Sequence, residues 1–396
     1  MQVYLDNAAT TKMSRAAIDA MLPYLDSIYG NPSALHSMGQ RAKEALEEAR
    51  DTVARCLGAN ASEIYFTSGG SEADNQAILS AAYIGARKAK KHIVTTAFEH
   101  HAVLHTLAKL EKLGYSVTYL SVGGKGSISA EQVADAITEE TCLVTTMFAN
   151  NEIGSVLPIA EIGAVCREKK VLFHTDAVQA VGHIPVNVET MNIDMLSLSG
   201  HKFHGPKGVG VLYARKGVAL SSLIEGGAQE RSRRAGTENV AGIAGLAAAL
   251  REATDHPEEN ADKVKALRDK LICGLSHIPH SVLNGDRQYR LPGNVHFCFE
   301  GIDGESLLLL LDEYGIEASS GSACTSGSLD PSHVLLAIGH PHEIAHGSLR
   351  LTLSEYTTEE EIDYALDVIP QVVARLRAMS PVWRDKSEGN KPFLLK

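Results

Sequence analysis

The stretches VLFHTDAVQAVG (residues 171–182) and DMLSLSGHK (194–202) decide the fold. Each begins with a short run of apolar and β-branched residues, which is typical of a buried strand. Five runs of the same kind lie between residues 60 and 215: EIYFTS (63–68), HIVTTAF (92–98), SVTYLSV (116–122), CLVTTMFA (142–149) and GVGVLYA (208–214). Most of the gaps between runs hold helix-like segments: residues 71–90, 102–113 and 160–170. This alternation predicts a mostly parallel sheet covered by helices on both faces, with ligands beyond the carboxyl ends of its strands.

The sequence pattern changes near residue 255. The segment EATDHPEENADKVKALRDKL (252–271) predicts a polar boundary followed by a helix, residues 282–300 are typical of strands, and Glu359–Met379 predicts an amphipathic final helix. We predict a large domain over residues 14–255 and a smaller α+β domain formed by residues 1–13 with 256–396. The tail from Ser380 carries Pro, Lys and acidic residues, and we expect it to be mobile at least in part.

Composition excludes several classes of protein. Of 396 residues, 44% are hydrophobic and 21% charged, which excludes disordered, collagen-like and coiled-coil chains. Net charge is 37 − 48 = −11, which argues against a general nucleic-acid binder. The longest apolar stretch, residues 240–250, is far shorter than the roughly 20 residues that span a membrane. The start lacks signal-peptide features, and the six cysteines are sparse with no C-x-x-C spacing, so we expect a reduced, cytoplasmic protein.

The segment FTSGGSEADNQAI (66–78) indicates a phosphate-binding turn. A predicted strand ends there, two glycines follow, and Ser71 begins a helix. Such a turn offers free backbone N–H groups and the positive end of a helix to an anion. An ordinary helix N-cap after a tight turn explains the same residues equally well. The segment is neither a GxGxxG nor a Walker A motif, so neither kind of nucleotide site is predicted.

Two charged residues stand at the carboxyl ends of predicted strands. Asp176 follows a buried run, where it is either a helix N-cap or a charge directed into the ligand crevice. Lys202 follows another such run, in SGHKFHGPKG (199–208). A desolvated lysine loses its proton easily and forms Schiff bases. Taken alone, Lys202 is weak evidence, because surface lysines are common.

Cys324 lies in SSGSACTSGSLDPSH (319–333), a run of Ser and Gly without hydrophobic periodicity. We therefore expect an exposed, mobile loop there. The other five cysteines lie in apolar or helical contexts, where Cys behaves as a small hydrophobe. Because an exposed thiol is a liability, a nucleophilic role for Cys324 is favoured over an unreactive one.

The segment HEIAH (342–346) matches the zinc-peptidase pattern H-E-x-x-H. That pattern needs a helix to bring both imidazoles to one face. Gly339 and Pro341 precede the segment and Gly347 follows it, so a continuous helix is not expected. No third ligand is evident, and we predict no resident metal.

The strand-end features together predict a pyridoxal 5′-phosphate (PLP) site. The glycine–serine turn would take the phosphate, Asp176 would pair with the pyridinium nitrogen, and Lys202 would form the Schiff base. Each of these features alone has another explanation, but the three together indicate a PLP site.

With these motifs in view, the chain resembles the cysteine desulfurases of the class V aminotransferase superfamily, in their NifS/IscS-type group. The resemblance covers nearly the whole chain and rests on motifs in the family's order: YLDNAATT (4–11), GNPSALHSMGQRA (30–42), TSGGSEADN, EHHAVL, NNEIG, HTDAVQAVG, SGHKFHGPKG, RAGTEN and SSGSACTSGSLDPSHVL. It implies the α/β fold of PLP-dependent transferases of fold type I, with a mostly parallel sheet in the large domain and a smaller α+β domain.

The resemblance also implies roles for individual residues. His100 would stack on the cofactor ring and transfer protons, Asn151 and Gln179 would contact the ring substituent and substrate, and Arg350 would bind the substrate carboxylate. The residues that would hold the phosphate are Gly70, Ser71, Ser199 and His201. Thr237 would reach the phosphate of a neighbouring subunit, which implies a homodimer.

The activity implied is conversion of L-cysteine to L-alanine. Lys202 would act as general base at Cα, and the Cys324 thiolate would attack the substrate sulfur and keep it as a persulfide. The partner would be a sulfur-acceptor protein such as an iron–sulfur scaffold. Cys324 could also bind an iron–sulfur cluster transiently as a ligand. No nucleic-acid or membrane partner is predicted.

Alternatives remain open from sequence. They are a PLP-dependent aminotransferase, a selenocysteine lyase, and a non-catalytic sulfur carrier of the same fold. Three departures from the family's pattern stand out. Ser71 replaces a frequent Thr, Glu355 lies where many relatives have a Gly-Arg pair, and the C-terminal tail does not resemble a scaffold-docking segment.

Overall fold

The architecture is given by a computed structural model that describes residues 1–255, 257–321 and 331–395. Its central sheet has seven strands, all of them predicted above: β2 (Ile64–Thr67), β3 (His92–Thr96), β4 (Ser116–Leu120), β5 (Thr141–Met147), β6 (Leu172–Asp176), β7 (Met195–Ser199) and β8 (Gly210–Ala214). The order across the sheet is β2-β8-β7-β6-β5-β3-β4. Only β8 runs antiparallel to its neighbours. The predicted fold class, a mostly parallel sheet, is therefore confirmed.

Helices cover both faces of this sheet, because its strands are apolar on both sides. Consecutive residues such as Ile93 and Val94, or Met195 and Leu196, are fully buried in different clusters of the core. The helices of this part of the chain are α1 (Arg15–Leu25), α2 (Ser37–Leu57), α3 (Gly70–Ala86), α4 (His101–Lys112), α5 (Ala130–Ala136), α6 (Ile159–Lys169), a short turn α7 (Gln229–Ser232) and α8 (Val240–Asp255).

The rest of the chain forms two smaller sheets. In one of them, β10 (Asn294–Phe299) lies antiparallel between β9 (Ser281–Leu283) and β12 (Ser348–Thr352). In the other, β1 (Val3–Tyr4) pairs in parallel with β11 (Ile316–Glu317), which attaches the N-terminus to the C-terminal part. The accompanying helices are α9 (Pro257–Leu275), α10 (Gly304–Glu313), α11 (His333–Ala337), α12 (His342–Ala345), α13 (Glu359–Met379) and α14 (Pro381–Ser387).

The change of sequence pattern near residue 255 coincides with a junction between helices, since α8 ends at Asp255 and α9 begins at Pro257. The expectation for the tail was wrong, because its described part packs against the small sheet. Lys386 is 4% exposed and pairs with the buried carboxylate of Glu300, which also accepts the backbone N–H groups of Leu394 and Leu395. A buried ion pair satisfied in this way holds the tail against the small sheet.

Among the described residues, no helix has the length and apolar character needed to cross a bilayer.

One buried ion pair connects α2, β2 and the turn α7. Arg50 binds both carboxylate oxygens of Glu230, at 2.9 and 2.8 Å, and the same carboxylate accepts the backbone N–H of Phe66. Both residues of the pair are buried, with exposures of 4% and 5%. Such a bidentate pair fixes geometry as well as charge.

We predict that Glu230→Ala lowers the free energy of unfolding by about 3–5 kcal/mol, because it leaves the Arg50 guanidinium buried without its counter-charge. The measurement is the urea denaturation curve. The matched control is Asp19→Ala, which breaks the exposed Arg15–Asp19 pair and should leave the curve almost unchanged. Equal effects of the two substitutions would contradict the prediction.

Candidate active site

The residues predicted from the sequence meet at one edge of the central sheet. Strands β2, β3, β5, β6 and β7 run in the same direction, so their carboxyl ends share that edge. The strand ends and the segments that follow them carry the candidate side chains: Gly70 and Ser71, His100, Asn151, Asp176 and Gln179, and Ser199 to Lys202. This is the edge at which α/β sheets bind their ligands.

The N-terminus of α3 lies beside the end of β7. The helix begins at Gly70, so its first N–H groups lack partners within the helix. A Cβ atom on Gly70 would lie 2.5 Å from Cγ2 of Val178, so any other residue here would require Val178 to shift. Ser199 lies against the same turn, since the added atom would be 3.7 Å from the Cβ of Ser199. The exposed Ser71 follows Gly70, and groups of this kind at a helix N-terminus could hold a phosphate.

Lys202 lies in a short 3-10 turn directly after β7. Its Nζ donates to the carbonyl oxygens of Ala8 and Ala9, at 2.6 and 2.9 Å. The turn itself is held by the Thr11 hydroxyl, which donates to the His201 carbonyl, and by His183, whose Nε2 donates to the Lys202 carbonyl. The amine is thereby directed to the N-terminal segment at the edge of the sheet.

Asp176 ends β6 and is buried beside Lys202 and His100. Its Oδ1 accepts the backbone N–H of Val178 at 3.0 Å. Burial raises the pKa of Asp176, while His100, the Val178 N–H and Lys202 act in the opposite direction. One donor atom each of Asp74, His100 and Asp176 lies within 4.8 Å of the others. A positively charged ring nitrogen at this place would stabilise the carboxylate.

A second layer of polar side chains lies behind Asp176. Asp74 is 1% exposed, its Oδ1 accepts no hydrogen bond from the described residues, and it lies 3.6 Å from Nε2 of His174. His174 in turn contacts the hydroxyls of Thr145 and Ser197. Burial raises the pKa of Asp74 well above its usual value and lowers that of His174 to about 3. Asp74 is therefore favoured as a neutral acid and His174 as a neutral imidazole.

His100 caps α4 and is oriented by that cap. Its Nδ1 accepts the backbone N–H of Ala102 at 3.1 Å, which leaves the ring proton on Nε2. The preceding Glu99 is fully buried, and its carboxylate accepts the Thr96 hydroxyl. Burial raises the pKa of Glu99 to about 8.

Arg350 reaches the edge from β12 of the small sheet. It is 2% exposed, and its Nη2 donates to Asp6 at 2.8 Å while Nη1 donates to the Asn151 carbonyl at 3.1 Å. Gln179 donates to the Ala8 carbonyl at 3.0 Å. The planar guanidinium suits a carboxylate ligand.

Two other predicted features, Thr237 and the HEIAH segment, lie elsewhere. Thr237 is exposed and lines a cavity with Ser68 and Arg234, and no other residue of the predicted site lines it. Cys324 lies outside the described residues. HEIAH forms a helix of only four residues, His342–Ala345, and in the described part of the chain no three-residue group suited to a metal includes it.

The contacts of the N-terminal segment with Lys202 and Arg350 were not predicted from the sequence. Asp6 and the carbonyls of Ala8 and Ala9 bind Arg350 and Lys202, although YLDNAATT served only as a family motif. The carbonyls carry no sequence signal. The signal for Asp6 was that it carries the one charged side chain among residues 1–11.

We predict that wild-type protein loses stability relative to Glu99→Gln as pH rises from about 4.5 to about 8. In that window the unfolded chain has released the proton of Glu99 while the folded chain still binds it, so rising pH favours unfolding. Urea midpoints of both proteins across this range test it. Glu161→Gln, at an exposed position, is the control. Parallel curves for wild type and Glu99→Gln would contradict the prediction.

Comparison with known proteins places this site in a family. The model of the aminotransferase class-V family matches residues 3–365. The cysteine desulfurase IscS of Clostridium botulinum is 54% identical over 387 residues, which cover 97% of each chain. The protein of the same name from Methanosarcina thermophila is 54% identical over 380 residues, 96% of this chain and 94% of that one.

A solved structure described as a NifS-like protein superimposes with a TM-score of 0.89 at 39% identity, covering 95% of this chain and 100% of the other. Its sequence similarity and its shared fold agree with the family match. The chain belongs to the aminotransferase class-V family, and within it to the cysteine desulfurases of the NifS/IscS type.

Proposed function

We propose that this protein is a PLP-dependent cysteine desulfurase that converts L-cysteine to L-alanine and keeps the sulfur as a persulfide on Cys324. The observation that carries the proposal is the convergence of Lys202, Asp176 and His100 at one edge of the sheet, beside the N-terminus of α3. The relatives named cysteine desulfurase support the choice of substrate.

The residues present fit PLP. The turn at Gly70 and Ser71, with Ser199 and His201, would hold its phosphate, and Asp176 would face its ring nitrogen. Burial beside Lys202 and Lys207 lowers the pKa of His201 to about 4, so His201 would act there as a neutral partner. When bound, PLP withdraws electrons from the Cα of the substrate.

The chain's own groups would then carry the proton and sulfur transfers. Lys202 would take the proton from Cα, and Nε2 of His100 would donate one. The Cys324 thiolate would attack the substrate sulfur, forming an S–S bond as the C–S bond breaks. The electron pair of that bond stays on carbon, which takes up a proton and becomes the methyl group of alanine. Arg350 and Asn151 would bind the substrate.

The partners in this proposal are a second copy of the chain and a sulfur acceptor. As the family resemblance implies, Thr237 would reach the phosphate of the neighbouring subunit; within its own chain it is exposed and lines a cavity with Ser68. The persulfide would supply an acceptor such as an iron–sulfur scaffold.

We predict that Arg350→Gln raises KM for L-cysteine roughly thirtyfold, since a charged hydrogen bond to a carboxylate is worth about 2 kcal/mol. Steady-state alanine release measures it. Arg350→Lys keeps the positive charge but not the planar, two-pronged geometry of the guanidinium. Its KM should lie between those of wild type and Arg350→Gln. An unchanged KM in Arg350→Gln would remove Arg350 from the substrate site.

The proposal as a whole predicts that purified protein loaded with PLP releases alanine from L-cysteine in the presence of a thiol reductant. Cys324→Ala should bind PLP yet release no sulfide. The matched control is Cys273→Ala, because Cys273 is an exposed cysteine in α9, away from the predicted residues. Full desulfuration by Cys324→Ala would show that another group accepts the sulfur. Absence of alanine from loaded wild type would contradict the function.

A further inference from the structure

His204 follows Lys202 by two residues and is fixed by its backbone. It has a left-handed conformation, with φ 64°. Its N–H donates to the Thr11 hydroxyl at 2.8 Å, and its carbonyl accepts the N–H of Ser14 at 2.9 Å. At 4% exposure its ring is almost entirely enclosed.

Both ring nitrogens of His204 face oxygen atoms that act as acceptors, a backbone carbonyl and a carboxylate whose lowered pKa favours the ionised form. Nδ1 lies 2.8 Å from the carbonyl oxygen of Lys12, and Nε2 lies 3.1 Å from Oε2 of Glu355. A neutral imidazole has one donor and one acceptor nitrogen, so either tautomer would place a lone pair against an oxygen lone pair. Only the imidazolium, with two N–H groups, satisfies both contacts.

The surroundings favour this charge. Burial alone would lower the pKa of His204, but the hydrogen bond and charge of Glu355 outweigh it and raise the pKa. Burial alone would raise the pKa of Glu355, but the hydrogen bond and charge of His204 outweigh it and lower the pKa. Both shifts favour the charged forms of the two residues. The other titratable and charged groups near the pair come from several elements: Glu252, His183, Lys202, Tyr356 and Lys263.

The bond joins two parts of the site. His204 belongs to the turn that carries Lys202, and Glu355 lies shortly after β12, the strand that carries Arg350. Lys263 of α9 fixes the Glu355 segment by donating to its carbonyl at 2.6 Å. Glu355 also lines a cavity with Ala8, Gln179 and His183, directly behind the Lys202 contacts.

We propose that His204 is a positioning residue, whose charged hydrogen bond to Glu355 holds the Lys202 turn against the segment after the Arg350 strand. Its effect on turnover rests on the proposed function, whereas the bond itself does not. Breaking it would let the amine and the carboxylate-binding guanidinium move relative to each other, and small misplacements of reacting groups are costly.

The sign of the pH dependence follows from the two pKa directions. The raised pKa of His204 makes its contribution to stability fully present below about 6.5 and lost as pH rises through the folded value. The lowered pKa of Glu355 makes its contribution present above 4.5 and lost as pH falls through the folded value. The pair therefore stabilises the protein between these limits.

The test compares wild type with Glu355→Gln, using the full chain without added cofactor. With histidine rings labelled by ¹⁵N, wild type should show two ring N–H signals for His204 at neutral pH, and Glu355→Gln should lose one. His204→Gln assigns the signals. The excess stability of wild type over Glu355→Gln should be present near pH 6 and vanish as pH rises past the pKa of His204.

Glu359→Gln is the control, since it removes a charge from an exposed ion pair of the same part of the chain. With PLP loaded, kcat for Glu355→Gln should fall on the order of tenfold while KM changes little. A single ring N–H in wild type, or pH–stability curves for Glu355→Gln and Glu359→Gln that coincide, would overturn the proposal. The ring N–H signals and the pH–stability curves do not depend on turnover. They therefore test the proposal even if the protein has no desulfurase activity.

Discussion

The site depends on the contacts of the N-terminal segment with the two basic residues. The carbonyls of Ala8 and Ala9 accept the amine of Lys202, and the carboxylate of Asp6 binds Arg350. Lys202 follows the central sheet and Arg350 lies in the small sheet, so the short turn over residues 6–9 sets the distance between them. Backbone carbonyls are suited to this role, because they orient an ammonium group without adding a second charge that would compete with the ligand.

Burial explains the electrostatics around this segment. The edge of the sheet collects the carboxyl groups of Asp74, Glu99 and Asp176, all with raised pKa values because burial penalises their charged forms. Asp74 and Glu99 as neutral acids, beside one carboxylate at Asp176 that has positively charged neighbours, keep the net negative charge of the site small. His100 and Lys202 favour the charged form of Asp176 against the effect of burial, which suits Asp176 to the proposed ring nitrogen.

Much of this could be predicted from sequence because local patterns encode it. Each strand of the central sheet is a run of apolar, β-branched residues, so both its existence and the edge where Asp176 and Lys202 lie follow from alternation with helices. The tail was misjudged because composition does not reveal a buried partner: Glu300, far away in sequence, accepts Lys386 and the last N–H groups. The Asp6–Arg350 and His204–Glu355 pairs are likewise contacts between distant residues, which periodicity cannot reveal. The role of Cys324 stays a prediction, as do the domain boundaries.

The central claim is that the geometry at the sheet edge selects Lys202, among all lysines, to hold PLP. The most direct measurement is to load the purified protein with PLP, reduce it with borohydride, digest it and locate the pyridoxyl group by mass spectrometry. We expect one modified peptide, labelled at Lys202, and no label in Lys202→Ala. Label on Lys207, or spread over surface lysines with Lys202 unmodified, would contradict it.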